Sequence, residues 1–220
     1  MSAGRSLADE IWYWRAFEEY SANAAEPVYA THIYDERDEG AESEDLFGVY
    51  QDVWAISRVL TRRPPWMLDV GGMARYVGTL SLFLPVTLVD IRPSAPKLNQ
   101  LTFVRGDVTA LPFEDDSVPM ASCLSVVEHI GLGRYGDAID PRGSERACRE
   151  LQRVLQPGGH LLLSVPVADE PVTLFNAHRL LGRDQVRGWL DECDLTGGIE
   201  VRNDNMTVWC AEFMKRSEYG

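Results

Sequence analysis

The sequence predicts an α/β fold: a mostly parallel sheet flanked by helices, preceded by a helical extension. Three observations predict it. From residue 66 onward, short apolar runs alternate with helical stripes, the signature of parallel strands joined by crossover helices. The first run, 66–70, ends in Gly71-Gly72, a turn at which backbone can come close to a ligand. The second, 86–90, ends in Asp90, 21 residues after Asp69. An acid at about that reach is what a nucleotide-binding βαβ unit offers to a ribose hydroxyl, so the pair points to an adenosine-containing cofactor.

In chain order, residues 1–65 read as a helical cap or extension and 66–220 as the core. Leu7, Ile11, Trp14 and Phe17 recur on one face of a first helix, which Trp12, Tyr13 and Tyr20 make unusually aromatic. Such a helix either caps an acceptor pocket or packs on the core or on a second subunit, so a homodimer is left open. Residues 36–45 form an acidic loop, with Glu42, Glu44 and Asp45 where the dipole of the next helix favours negative charge. Leu46, Val49, Tyr50, Val53, Ser57 and Leu60 make the second stripe, closed by Arg62-Arg63-Pro64-Pro65. After the glycine pair, Val77, Leu80, Ser81 and Leu84 predict a buried helix face. A third strand, 101–105, ends in Gly106-Asp107, and a fourth, 120–127, ends in Glu128-His129-Ile130. Asp140-Pro141 offers an N-cap and first-turn proline to a helix whose stripe is Ala147, Cys148, Leu151, Val154 and Leu155. Pro157-Gly158-Gly159 stops it before a fifth strand, 160–166. Asp184 can cap a further helix with Val186, Trp189, Leu190 and Cys193 inward. Residues 199–201 and 207–213 fit two strands turned at 203–205.

Composition narrows the function. The 220 residues suit one domain with a substantial core. A formal net charge of −13 opposes polyanions, which argues against nucleic acid and for a small acceptor. No apolar run spans a bilayer and no signal peptide is visible, so the expectation is a cytoplasmic protein away from membranes. Cys123, Cys148, Cys193 and Cys210 are widely spaced and match no zinc pattern. The carboxylates Glu128, Asp137 and Asp140 match no ligand pattern either, and no metal is predicted.

The glycine spacing selects the cofactor class. A dinucleotide fingerprint starting at Gly71 would need glycines where Met73 and Tyr76 stand, and no Lys-Ser or Lys-Thr follows to make a phosphate loop. This disfavours a nicotinamide oxidoreductase and favours a ligand without pyrophosphate. Asp69-Val70-Gly71-Gly72 resembles the first motif of class I S-adenosylmethionine-dependent methyltransferases, with Met73 and Arg75 where that pattern's later glycines lie. The loop at 110–117 is similar to their "LPF-x-D-x-S" segment, Glu128-His129 to their "EH" strand ending, and the leucine-rich helix closed by Pro-Gly-Gly to another of their signatures. The resemblance covers residues 66–215. The run at 128–137, with 175–179, is similar to a little-characterised subgroup for which no acceptor is known.

The resemblance implies a Rossmann-like, seven-stranded sheet closed by an antiparallel hairpin, with S-adenosyl-L-methionine as cofactor. It implies that Gly71 and Gly72 admit the amino-acid portion of the cofactor, Asp69 accepts from its ammonium directly or through water, Asp90 from the ribose, and Asp107 from the adenine amino group beside Val108. Ile91 and Ser125 complete that cofactor-binding set. His129, past the fourth strand, is either a general base or a structural histidine, and His178 is a second catalytic candidate. Arg134, Tyr135 and Arg179 are candidates for binding the acceptor, with the glycine-rich loop 131–143 closing over it. His32 and His160 are read as outside the chemistry. The expected activity is methyl transfer to a small molecule such as a sugar derivative or secondary metabolite. The alternative is an inactive methyltransferase-like domain that binds a ligand or partner.

Overall fold

The computed structural model describes residues 7–31, 46–92, 96–202 and 206–217. The acidic loop at 36–45, His32 and the 203–205 turn lie outside the described residues.

The centre is a seven-stranded sheet of β2 (Met67–Val70), β3 (Val86–Asp90), β4 (Leu101–Arg105), β5 (Val118–Leu124), β6 (Leu155–Val167), β9 (Cys193–Arg202) and β10 (Thr207–Lys215), in the spatial order β4-β3-β2-β5-β6-β10-β9. Adjacent strands from β4 to β6 are parallel, and β10 runs antiparallel to both its neighbours. Parallel strands covered on both faces run nearly continuously apolar, and in β2 Met67, Leu68 and Val70 are buried beside a single buried polar residue, Asp69. The chain winds outward from β2 to β4, then returns to β5 on the other side of β2. That reversal opens a crevice at the carboxyl ends of the strands, where open α/β sheets bind ligands.

Helices cover both faces. On one face, α4 (Gly143–Val154) and α5 (Arg183–Trp189) pack Ala147, Leu151 and Val186 against Leu68, Ala121 and Leu163. On the other, α2 (Leu46–Arg62) and α3 (Ala74–Leu80) pack Trp54, Val59, Val77 and Leu80 against Met67, Leu88 and Met120. The predicted stripes of α3 and α4 are buried, as are all four cysteines.

Both N-terminal helices bury a different face from the one predicted. In α1 (Leu7–Ser21), Tyr13, Ala16 and Tyr20 are buried with Leu132 and Phe175, whereas Ile11 and Trp14 are exposed. In α2, Val49, Tyr50, Val53 and Leu60 face solvent. Polar partners explain the rotation of α2: Arg58 and Arg62 each donate from Nε at 2.7 Å to the fully buried Glu212 carboxylate on β10. Stranding that carboxylate would cost more than exposing a few aliphatic side chains.

A second sheet was not anticipated. β1 (Val28–Ala30) lies parallel to β7 (Val172–Phe175), which pairs antiparallel with β8 (His178–Leu180). It ties the extension to the segment after β6. Two predicted caps also differ. Asp140 Oδ1 accepts the Arg142 N–H at 2.9 Å, forming a turn ahead of α4 rather than capping it. Asp184 falls inside the first turn of α5, where Gln185 Oε1 instead accepts the Gly182 N–H at 3.3 Å. Among the described residues, no helix is long and apolar enough to cross a membrane.

Candidate functional site

A cleft opens at the carboxyl ends of β2, β3, β4 and β5. It is lined by Gly71, Asp90, Ile91, Asp107, Val108, Ser125, His129 and Tyr135, all singled out in the sequence, and also by Arg92, Val126 and Asp137.

The β2 turn is built around Asp69. Its carboxylate is fully buried, with Oδ1 accepting the Gly72 N–H at 2.8 Å and Oδ2 accepting the Ser122 hydroxyl at 2.5 Å. A Cβ on residue 72 would lie 2.0 Å from Asp69 Oδ1, so only glycine lets the backbone fold onto the carboxylate. Gly71, with φ of 68°, turns the chain into the left-handed region. Burial drives the Asp69 pKa up to about 7 against the Ser122 and Gly72 hydrogen bonds. Asp69 and Gly72 are therefore set beneath the cleft as supports of the turn. The expected direct contact of Asp69 with an ammonium is corrected: the carboxylate is sealed from the cleft.

At the end of β3, Asp90 is held by Arg92. Arg92 donates from Nη2 to Oδ2 at 2.7 Å and from Nε to Oδ1 at 3.0 Å. The β4 end carries Asp107, whose Oδ1 accepts both the Thr109 N–H and hydroxyl at 2.8 Å. Ser125, after β5, has a φ of 54°, a conformation that a non-glycine residue holds only when its surroundings enforce it. The enforcement is a hydrogen bond from its hydroxyl to Gln51 Oε1 on α2 at 2.8 Å, shared with Ser164 at 2.7 Å.

Beyond β5 the short helical turn Val127–His129 brings His129 into the cleft wall. Its Nδ1 lies 2.6 Å from the Ala177 carbonyl, which can only accept, so Nδ1 carries the proton and Nε2 the lone pair. Burial, with Arg134 nearby, drives its pKa down to about 3. Of the two sequence readings of His129, the Nδ1 contact is that of a histidine hydrogen-bonded within the fold, and the lowered pKa makes its imidazole a hydrogen-bond acceptor rather than a base poised near neutrality. Its neighbour Glu128 is buried, its pKa lifted to about 8, and its Oε2 has no hydrogen-bond partner.

The remaining candidates group behind His129. The His178 ring meets that of His129 edge-on at 6.3 Å but does not line the cleft, and burial lowers its pKa. Arg134 donates to the Ala177 carbonyl at 3.2 Å and lies over the Tyr135 ring. Arg179, expected to bind the acceptor, is 2% exposed. Its Nε and Nη2 donate to the Tyr20 hydroxyl at 3.0 and 2.7 Å, its Nη1 to the Ile130 carbonyl at 2.6 Å and Ser144 Oγ at 2.9 Å, and its Nη2 to the Asp140 carbonyl at 3.2 Å. With its donors spent inside the protein, Arg179 is a clamp joining α1, β8 and the loop after β5. Among the described residues no cluster of His, Cys, Asp or Glu could hold a metal ion.

Arg92 and Gln51 were missed in the sequence. Arg92 could have been noticed as a cation two residues from the ribose-binding candidate. Gln51 could not, because it lies off the apolar stripe on which α2 was read, on the face expected to meet solvent.

Residues 112–189 match the family described as "Caenorhabditis protein of unknown function, DUF268". An uncharacterized methyltransferase of Mycolicibacterium vanbaalenii is 30% identical over 138 residues, covering 58% of this chain and 49% of that protein. The chain spans about half the length of the curated relatives it matches. Among solved structures, the Burkholderia thailandensis 1,6-didemethyltoxoflavin-N1-methyltransferase, with its substrate and S-adenosylhomocysteine bound, aligns at a TM-score of 0.65 and 16% identity over 99% of this chain and 94% of that one. The N-methyltransferase NodS of Bradyrhizobium japonicum, with S-adenosylhomocysteine, aligns at 0.63 and 13% identity over 92% and 99%. Strand order, the β2 turn, the acid ending β3 and these alignments agree: this chain has the class I S-adenosylmethionine-dependent methyltransferase fold.

Proposed function

We propose that this protein binds S-adenosyl-L-methionine in the cleft and transfers its methyl group to a small-molecule acceptor. The observation that carries the reading is the convergence of Gly71, Asp90, Asp107, Val108 and Ser125 at the reversal of strand order. Matches to methyltransferases in both sequence and fold support it.

The residues present fit such a cofactor. The left-handed turn at Gly71 lets backbone approach its amino-acid end, supported from below by Asp69 and Gly72. Asp90 would accept from the ribose hydroxyls. Val70, Val89 and Val108 supply apolar walls for a base, with Asp107 to accept from an exocyclic amine. When bound, the cofactor supplies an electrophilic methyl on a sulfonium, and the protein aligns the acceptor with it.

On the acceptor side, His129 Nε2 accepts a hydrogen bond from the nucleophile's N–H or O–H and orients its lone pair. Its lowered pKa makes it a poor store for the proton, which passes to solvent. This suits an acceptor atom that is nucleophilic while it still carries a hydrogen, such as an amine nitrogen. Tyr135 supplies an aromatic wall.

Calorimetry with S-adenosylhomocysteine tests the reading. Saturable binding that Asp90→Ala weakens about tenfold is expected from the loss of two hydrogen bonds to a carboxylate. Absence of binding in folded wild-type protein overturns it.

A further inference from the structure

Asp90 does not stand open. Oδ1 accepts the backbone N–H of Arg92 at 2.8 Å as well as its Nε at 3.0 Å, and Oδ2 accepts Nη2 at 2.7 Å. This is the forked guanidinium–carboxylate geometry, the strongest form such a pair takes. The same guanidinium lies over the Tyr135 ring, 5.1 Å from its centroid. Tyr135 in turn meets the His129 ring edge-on at 5.5 Å. Asp137 gathers the loop beneath it, accepting N–H groups of Gly131 at 2.6 Å and Tyr135 at 3.3 Å. Contacts therefore run unbroken from the carboxylate at the end of β3 to the imidazole on the acceptor side, and Asp90, Arg92, Tyr135 and His129 all line the cleft.

A ribose diol offers a carboxylate two parallel O–H donors, which is what the guanidinium fork already offers. One carboxylate edge accommodates one such fork. We propose that Arg92 is a built-in competitor for Asp90, which a nucleoside's diol must displace on entering the cleft, and that this exchange couples cofactor entry to Tyr135 and the acceptor-side loop. The inference rests on the reading of the cleft given above. Arg92 thus sets the affinity for the cofactor by opposing it, and its exchange removes one of the two cations, with Arg134, that face Tyr135. The backbone N–H of Arg92 keeps its bond to Oδ1 whatever the side chain does, so Asp90 remains aimed at the cleft after the exchange.

The test is calorimetric titration of the full chain with S-adenosylhomocysteine, in wild type, Arg92→Ala and Arg92→Lys. Arg92→Ala is expected to bind roughly threefold to tenfold more tightly, the range for losing a forked, partly solvated ion pair. Arg92→Lys, which keeps the charge without the fork, is expected between the two. Saturable wild-type binding with Arg92→Ala equal or weaker overturns this inference and leaves the cofactor reading intact. No binding by wild type or Arg92→Ala, both folded by circular dichroism, overturns both. An independent readout is the arginine Nε–H resonance that Arg92→Ala removes: it should shift on saturation with S-adenosylhomocysteine, and an unmoved signal overturns the displacement.

Discussion

Arg179→Met keeps the length and apolar stem of the side chain and deletes its five N–H donors. Five contacts of 3.2 Å or less go with them, to the Tyr20 hydroxyl twice, the Ile130 and Asp140 carbonyls and Ser144 Oγ. The Ile130 carbonyl and the Tyr20 hydroxyl are the groups most exposed to the loss, and each stranded buried polar group costs about 1–3 kcal/mol. Part of this returns, because a desolvated cation no longer has to be held in the interior. The balance is a loss of about 3 kcal/mol, a large fraction of the roughly 5–15 kcal/mol that holds a domain folded. Urea unfolding followed by tryptophan fluorescence should show a midpoint lower by about 1 M with an unchanged slope. A wild-type midpoint combined with a raised acceptor KM would refute the clamp and return Arg179 to the acceptor site.

Gly72→Ala should destabilise by about 2–4 kcal/mol and weaken S-adenosylhomocysteine binding, because the new Cβ, 2.0 Å from Asp69 Oδ1, forces the turn off its support. Gly188→Ala, whose Cβ meets nothing within 4 Å, should instead gain about 0.5 kcal/mol in the same unfolding assay. Glu128→Gln should change how stability varies with pH. The folded-state pKa of about 8 lies above the ordinary 4.5, so between those values the native state holds a proton that the unfolded chain has released, and raising the pH favours unfolding. Removing the group should stabilise the variant relative to wild type by at least about 1 kcal/mol more at pH 8 than at pH 5. A difference that stays flat with pH would show that Glu128 is ionised in the fold. His129, lowered to about 3, has the opposite sign and costs stability only as the pH falls below its ordinary 6.5.

The core of the fold was legible because its strands are short, apolar and punctuated by glycine or acid. Residues 66–72, 86–90 and 101–107 declare both where a strand ends and what stands there. The hairpin of β9 and β10 followed from the same alternation. The N-terminal helices were misread for a physical reason: an apolar stripe predicts burial only when nothing polar competes for the interior. In α2 the buried face is chosen jointly by Trp54, by two arginines that must reach Glu212, and by Gln51. The small sheet left no signal, since β1 and β8 are three residues each and β1 pairs with β7 across most of the chain. Arg179 shows another limit. Three of its acceptors are a tyrosine hydroxyl and two backbone carbonyls, and carbonyls leave no trace in residue identity. From the sequence alone, an arginine beside a cleft reads the same whether its donors point inward or out.

The small sheet also has a consequence for the order in which the molecule assembles. Val28–Ala30 pairs with Val172–Phe175, and Thr31 Oγ1 donates to the Phe175 carbonyl across a separation of 144 residues. Contacts that distant carry the largest loop-closure entropy and form slowly. During synthesis the first helix leaves the ribosome long before its docking strand exists, so Tyr13 and Tyr20 must wait, solvated, while β2 to β6 condense. The wall behind His129 is therefore completed only after β7 has been made, when the two ends of this span have met.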